Sequence, residues 1–472
     1  MAYIELKTQE HDHFLEDKLE QFSDEQKGEF RALLGNAIKS KDKEEHLKYL
    51  GINSDFKASY YIGCAWLIPP PENGEGIPIQ VEPKMENVDF VRMFVTALEV
   101  RSSKEAEYFS DYYHIDFDSP AIQIESEQNL ITPLLLLHYI TLLEQLSRNG
   151  LRKNYVRREE NLQSKIRGKI LFSQHLKQNV FNKREDRIFC AYQEYTVDTP
   201  ENRLLKKALV YAKSNLESIP SLKAETLDQI YAKLAPVECA FEGVTEDVSL
   251  SQVGFVKSSK LYRHYDEAIK VAKMILQGVD YEILEDKKER DYKVHPFYID
   301  MPRLYEMYVL SLLRKAYGDQ IQFQVRGRHK TMVDFIKTDE KIIMDTKYKP
   351  HYESGESGIV DDVREISGYA RDKSILKALG WYKGKDLCAE GKQGKLFPDC
   401  VIIYPIIQPE YNDDGESFGI QEKECVFWDE TNPPKKIVDE SCPKLCNPIA
   451  AFEGFYKIAI PLPKKTEICV MK

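Results

Sequence analysis

Long apolar runs are missing from this 472-residue chain. A membrane-spanning helix needs roughly eighteen or more consecutive apolar residues. The longest stretch, around Leu134-Leu135-Leu136-Leu137, is far shorter and sits inside an amphipathic pattern, so no membrane span is expected. The opening residues, Met1–Glu20, are charged and contain no apolar core of a leader, so no secretory signal is expected either. Proline and glycine are few, 22 and 23 residues, and 42% of the chain is hydrophobic, which argues against a largely disordered protein. Positive charge is also short, with a net charge of −11. Phosphate neutralisation drives DNA binding. The acidic balance therefore counts against a large autonomous DNA grip and fits a protein that borrows DNA affinity from a partner.

Paired cysteines are absent as well. The nine Cys are scattered and odd in number, which reads as reduced thiols of a cytoplasmic protein. Cys442 and Cys446 stand closest to a ligand pair, but no second pair at zinc-ligand spacing accompanies them. No GxxxxGK[ST] loop is present: Gly168-Lys169 and Gly384-Lys385 lack the preceding glycine and the following Ser or Thr. The chain itself is expected to bind no nucleotide. There is no internal repeat and no low-complexity tract.

What is there divides into three stretches. Residues 1–150 read as an α+β region: a charged helical start with Leu33, Leu34 and Ile38 on its apolar face, strands at Tyr60–Leu67 and Ile77–Val81, and helices at Phe90–Leu98 and Leu130–Leu146. Residues 151–285 read as mainly helical, with Asn202–Ser214 and Lys260–Leu276 the clearest helices and a charge-dense break around Gly278–Val294. Within it, Arg152, Lys153, Arg157, Arg158, Lys165, Arg167 and Lys169 form a basic segment, either a solvated face or a phosphate contact. Residues 286–472 alternate helix and strand and read as a separate α/β domain.

The informative part is Ile321–Pro350. Two β-type runs, Met332–Lys337 and Ile342–Tyr348, are joined by the polar turn Thr338-Asp339-Glu340-Lys341. Centring the turn on Asp339-Glu340 places Asp334 directly across from Asp345, with Cβ atoms about 5 Å apart. Strand side chains alternate, so Lys347 shares the face of Asp345, while Ile342, Met344 and Thr346 take the other face toward a core. Two carboxylates this close repel, and a divalent cation relieves the repulsion. Mg²⁺ favours hard oxygen ligands and keeps several waters. A metal there can activate water against a phosphodiester, with Lys347 orienting that water or stabilising developing charge. The alternative is a hairpin with charged residues on its solvent face.

Two helices flank the hairpin. Asp300 is a plausible N-cap and Pro302 lies in the first turn of a helix that carries Glu306, either an ordinary boundary residue or a further metal-shell carboxylate. The second, Asp361–Leu379, places Glu365 and Tyr369 on one face and Arg364 and Arg371 on another. Those arginines suit DNA phosphates or surface ion pairs.

The order Glu306, Asp334, Asp345-Thr346-Lys347, then Glu365-x-x-x-Tyr369 resembles the PD-(D/E)xK nuclease superfamily. Val333-Asp334 stands at the "PD" position without the proline, and Glu365 stands where related enzymes often have Gln. A closer resemblance is to the McrC family, the nuclease subunit of McrBC and LlaJI-type restriction systems. It is carried by Ile77–Lys84 with its final Pro83-Lys84, by Arg167-Gly168-Lys169-Ile170, by Thr199–Lys206, and by the nuclease motif. The resemblance implies a Mg²⁺-dependent (or Mn²⁺-dependent) deoxyribonuclease, with a C-terminal α/β PD-(D/E)xK domain behind a partner-contacting N-terminal part. It further implies that a McrB-like AAA+ GTPase ring recognises and moves DNA while this chain cuts it and stimulates GTP hydrolysis. Whether two such chains self-pair through the nuclease domain to cut both strands is left open by the sequence. Two other readings are a non-catalytic activator of an AAA+ NTPase and a stand-alone nuclease on branched or single-stranded DNA.

Overall fold

A computed structural model describes residues 6–14, 19–39, 47–71, 76–85, 88–97, 113–116, 119–124, 131–216, 224–250, 253, 263–284, 292–328, 331–349, 356–381, 396–406, 410–411, 417–418, 433, 435–438, 447–449 and 451–464. Cys442 and Cys446 lie outside them. The chain forms two compact units, residues 1–127 with 291–472, and residues 128–290. The first therefore joins both ends of the sequence, where the sequence reading draws three consecutive segments.

The first unit holds two sheets. The N-terminal one is built from β1 (Leu6–Gln9), β2 (Tyr61–Ile68), β3 (Ile77–Glu82), β4 (Tyr113–Ile115) and β5 (Phe297–Asp300), in the order β1-β3-β2-β5-β4. The sequence reading makes residues 1–50 helical, but Leu6–Gln9 is an edge strand parallel to β3. Four residues are too few to show a period of two. The helix of this region is α1 (Asp24–Lys39), which buries Phe30, Leu34 and Ala37. β5 enters from far along the chain and pairs antiparallel with both β2 and β4. Gly63 on β2 has φ +143, and a Cβ there would meet Phe297 O at 2.1 Å, so β5 lies against a position only glycine can fill. Helix α2 (Phe90–Ala97) is almost wholly buried.

Asp300 ends β5 and caps α3 (Met301–Tyr317): its side chain accepts the N–H of Arg303 at 3.2 Å, and Pro302 fills the first turn. Beyond α3 the second sheet begins. Its strands are β6 (Ile321–Arg326), β7 (Met332–Lys337), β8 (Ile342–Thr346), β9 (Asp399–Ile406), β10 (Asn447–Pro448) and β11 (Phe455–Pro461), in the order β6-β7-β8-β9-β11-β10. β6, β7 and β8 form an antiparallel meander, whereas β8, β9 and β11 run parallel. The parallel strands are buried along nearly their whole length, as expected for strands covered on both faces. Helices α4 (Glu356–Tyr369) and α5 (Lys373–Ala378) pack Ile366, Ala370, Ile375 and Leu376 against Val333, Ile336 and Ile343. The single helix read over Asp361–Leu379 is thus two. Asp372 breaks it by accepting the N–H groups of Ser374 (2.7 Å) and Ile375 (3.4 Å) as the cap of α5.

The second unit combines helices Ile131–Asn149, Pro200–Leu216, Ala224–Ala240 and Arg263–Leu284 with a three-stranded antiparallel sheet of Asn154–Gln163, Arg187–Thr196 and Lys169–Ile170. Helices make up most of the middle region, and the sequence reading misses only this sheet, whose two long strands pair over ten residues, from Asn154↔Thr196 to Gln163↔Arg187. Asn154–Gln163 is exposed along one face and carries charged Arg158 and Glu160 on the other beside Val156 and buried Leu162, so it lacks the apolar alternation that marks a strand in sequence. Of the break read over Gly278–Val294, the part up to Leu284 is helix and Tyr292–Val294 is strand, while residues 285–291 lie outside the described residues.

Candidate active site

The turn at Asp339-Glu340 sets the register of the β7–β8 hairpin: Lys337 pairs with Ile342, Ile336 with Ile343 and Phe335 with Met344. One further step places Asp334 across from Asp345, as the sequence reading has it. The β7–β8 pairing ends at Phe335 and Met344, while on its other edge β8 stays paired in parallel with β9 from Ile342 to Thr346, where Asp345 meets Ile402 and Thr346 meets Ile403. Against the expectation from the sequence, Thr346 does not turn away into a core. Its N–H and its hydroxyl donate to Asp334 Oδ2 at 2.8 and 2.5 Å.

Asp345 is 4% exposed and its Oδ2 lies 2.7 Å from Lys347 Nζ. Lys347 also donates to Glu365 Oε2 at 2.8 Å, and the Tyr369 hydroxyl donates to Glu365 Oε1 at 2.8 Å. Glu306 on α3 hydrogen-bonds to Asp334 and accepts from Gln324 Nε2. Glu306, Asp334, Asp345, Lys347, Glu365 and Tyr369 therefore form one connected constellation. Arg364 and Arg371 stand apart from these contacts: Arg364 pairs with Asp361 at 3.0 Å on the surface, and Arg371 lies 4.5 Å above the Phe397 ring.

Charge in this cluster is unbalanced. Burial, and then the Asp334 charge, pushes the carboxyls of Asp345 and Glu306 well above the usual range. Burial raises Asp334 too, against the hydrogen bonds from Thr346. Lys347 goes the other way: burial acts downward, but Asp345 and Glu365 outweigh it and hold the ammonium firmly protonated. Burial would raise Glu365, yet the bonds from Lys347 and Tyr369 keep it below its ordinary value.

Four carboxyl groups (Glu306, Asp334, Asp345 and Glu365) share one lysine, which leaves a deficit of positive charge, and the donors are all hard oxygens, which fits a divalent cation such as Mg²⁺. Among the described residues, no three His, Cys, Asp or Glu groups already stand at metal-ligand spacing. The carboxylates are instead turned onto Gln324, Thr346 and Lys347.

Gln324 escapes the sequence reading. Phe323 pairs with Phe335 and Val325 with Val333, so Gln324 falls across from Asp334, where it adopts φ +51 and bonds Glu306. A non-glycine residue held at positive φ beside carboxylates is a mark of a constrained site. Only the meander register could have pointed to it.

In the second unit, three arginines of the basic segment are engaged locally, while Lys153, Lys165 and Lys169 are exposed. Arg157 meets Glu159 at 2.8 Å, Arg158 meets Glu194 and Asp198 at 3.1 and 3.0 Å, and Arg167 stacks 4.1 Å over Tyr192. The segment Thr199–Lys206 is also structural. Asn202 is fully buried, donating to Arg152 O and Val197 O and accepting from the Tyr265 hydroxyl.

A family model described as McrBC 5-methylcytosine restriction system component matches residues 72–362. Among solved structures, the chain resembles one of a McrB AAA+ hexamer assembly with bound McrC from Thermococcus gammatolerans, at 13% identity and a TM-score of 0.34, over 97% of this chain and 94% of that one. A structure of the McrBC complex from the same organism matches at 17% identity and a TM-score of 0.26, over 66% of this chain and 88% of that one. No curated protein matches the chain. Among the described residues, no helix is long and apolar enough to cross a membrane.

Proposed function

Because the chain belongs to the McrBC 5-methylcytosine restriction system component family, we propose that it is the DNA-cutting subunit of a modification-dependent restriction system, a Mg²⁺-dependent endonuclease of PD-(D/E)xK type. The observation that carries this reading is the joining of Glu306, Asp334 and Asp345 with Lys347 at the open end of one hairpin. A solvated charged face would not crowd carboxylates until burial and mutual repulsion favour their protonated forms.

Asp334 and Asp345 would hold the cation, with Glu306 as a further oxygen donor. A divalent cation held by these carboxylates would supply Lewis-acid polarisation of the phosphate and would make a nearby water a better nucleophile. The chain's own residues do the rest. Lys347 Nζ gives hydrogen bonds to Asp345 and Glu365 and has three protons, so one is left for a phosphate oxygen. Its position next to Asp345 aligns that oxygen with the attacking water. Thr346 fixes the Asp334 carboxylate, and Gln324 fixes Glu306.

The reading includes a partner. An AAA+ ring of McrB type would supply GTP-driven movement and much of the DNA affinity that an acidic chain lacks. The test is cleavage of plasmid DNA carrying 5-methylcytosine by the chain with its AAA+ partner, GTP and Mg²⁺. Asp345→Ala and Lys347→Ala are each expected to abolish cutting while leaving assembly and GTP hydrolysis intact. Cutting by both variants at the normal rate would sink the nuclease assignment.

A further inference from the structure

Tyr348 follows the lysine of the site directly and is buried. Its hydroxyl donates to Glu10 Oε1 at 3.3 Å, across 338 residues of sequence. Glu10 lies just beyond β1 and is itself 1% exposed. Its N–H donates to Glu82 O at 2.9 Å, and its Oε1 also accepts the N–H of Lys84 at 3.0 Å. Glu10 is thus held by the end of β3 and by the turn after it. The Tyr348 ring lies 5.8 Å from the ring of Tyr305, the residue before Glu306 on α3. One side chain therefore touches the N-terminal sheet and the helix of Glu306, and is covalently next to Lys347.

The backbone at Lys347 needs such an anchor. β8 ends at Thr346. Beyond it, the Lys347 N–H donates to Ile403 O and the Lys349 N–H donates back to Lys347 O, both at 2.8 Å. Lys349 is tied to Asp362 on α4 at 2.8 Å, and Tyr348 is tied to Glu10. Packing alone gives no reason for a carboxyl at position 10. Burial pushes it up to about 7, and its Oε2 has no hydrogen-bond partner. A buried carboxyl is costly, and an apolar side chain would fill the space at less cost. Oε1, by contrast, is used twice.

We propose that Glu10 is a positioning residue for DNA cleavage: by holding the Tyr348 hydroxyl it fixes the backbone at Lys347, so the site is completed from the N-terminal sheet. This rests on the nuclease reading above. It also makes residues 286–472 an incomplete nuclease by themselves, because the strut that sets their lysine belongs to the first ten residues.

The full chain, with its AAA+ partner, GTP and Mg²⁺, is assayed on 5-methylcytosine plasmid as Tyr348→Phe, Glu10→Ala, Glu10→Gln and the double variant Glu10→Ala/Tyr348→Phe, with Lys347→Ala alongside. Tyr348→Phe and Glu10→Ala are expected to lower kcat by about 10-fold to 100-fold with KM unchanged, the cost of a small misplacement of a catalytic group. Glu10→Gln keeps the accepting Oε1 and recovers most of that loss. The double variant is no slower than the slower single one, because both remove one contact. Thermal unfolding of each variant separates positioning from folding, and if Glu10→Ala does not fold, Tyr348→Phe and Glu10→Gln decide. Wild-type rates in Tyr348→Phe with Lys347→Ala inactive overturn the positioning role alone, as do losses that multiply or a lowered Tm with kcat intact. Cutting by Lys347→Ala overturns the nuclease reading, and the positioning role with it.

Discussion

Thr346 gives Asp334 Oδ2 both of its protons, the N–H at 2.8 Å and the hydroxyl at 2.5 Å. The residue between the acid and the lysine of the motif thus acts on the other acid, one strand away. Thr346→Val deletes one hydrogen bond to a carboxylate, worth ~1.5–3 kcal/mol, while Thr346→Ser keeps it. The valine variant is expected to lose that much stability in urea denaturation and to cut DNA more slowly, and the serine variant to stay close to the parent on both counts. Equal behaviour of Val and Ser would mean that the hydroxyl does not orient Asp334.

Gly168 sits in the short segment Arg167–Ile170 at φ +68, and a Cβ there would lie 2.4 Å from Ala191 O and 2.9 Å from Tyr192 Cα. Both atoms are backbone of the central strand, so neither can yield cheaply. Gly168→Ala is expected to destabilise the second unit by about 1–3 kcal/mol without affecting metal-dependent stabilisation of the first. Differential scanning calorimetry with and without Mg²⁺ reads both effects.

Asp198 gathers more bonds than any carboxylate of the site. It takes both arms of Arg203 at 2.8 and 2.7 Å, Arg158 at 3.0 Å, and the N–H and hydroxyl of Thr245 at 3.0 Å each. The Arg203 bonds dominate and, against burial, hold its carboxyl well below the usual 3.8. A depressed folded-state value means that the unfolded chain takes up the proton first. The stabilisation is therefore full above about pH 4 and is lost as pH falls below that toward the folded-state value. Asp198→Ala takes the carboxylate from Arg203, while Arg158 keeps Glu194, and is expected to cost about 3 kcal/mol at neutral pH. The gap between variant and parent in chemical denaturation should narrow as the pH is taken below 4. A gap independent of pH would show that Asp198 acts by packing.

Local rules made the hairpin legible. Period two and one polar turn were enough to place Asp334 opposite Asp345, and Asp300 with Pro302 marked the start of α3. What stayed hidden depends on chain segments that meet only in three dimensions. Glu10 reaches Tyr348 across 338 residues, and β5 joins a sheet whose other strands lie within the first 115 residues. Gln324 carries no signature of its own, since it matters only through a sheet register and an unusual φ. The long ribbon Asn154–Gln163 lies in a region that reads as mainly helical and shows only its basic residues, because charged side chains interrupt the apolar period of a strand. The family segments Arg167–Ile170 and Thr199–Lys206 were visible as patterns, but only the structure gives their cause: a glycine-only approach to Ala191, and a fully buried Asn202.

If the chain is a PD-(D/E)xK nuclease as proposed, Glu365 stands where such enzymes often carry glutamine, and its contacts say what that difference is worth. Its side chain is 48% exposed, and its bond to Lys347 is shared with a much more buried one from Lys347 to Asp345. A half-exposed ion pair contributes at most about 1 kcal/mol, which is less than tenfold in rate. A glutamine would keep an oxygen for Lys347 and an amide for Tyr369, whose hydroxyl can accept as well as donate. Glu365→Gln is therefore expected to slow cleavage by less than about tenfold, whereas Asp345→Asn, which removes the buried charge facing the same lysine, should abolish it. Single-turnover cleavage of both variants under identical Mg²⁺ and GTP compares them directly. Loss of cutting in Glu365→Gln equal to that in Asp345→Asn would make Glu365 a full member of the catalytic set rather than a support for Lys347.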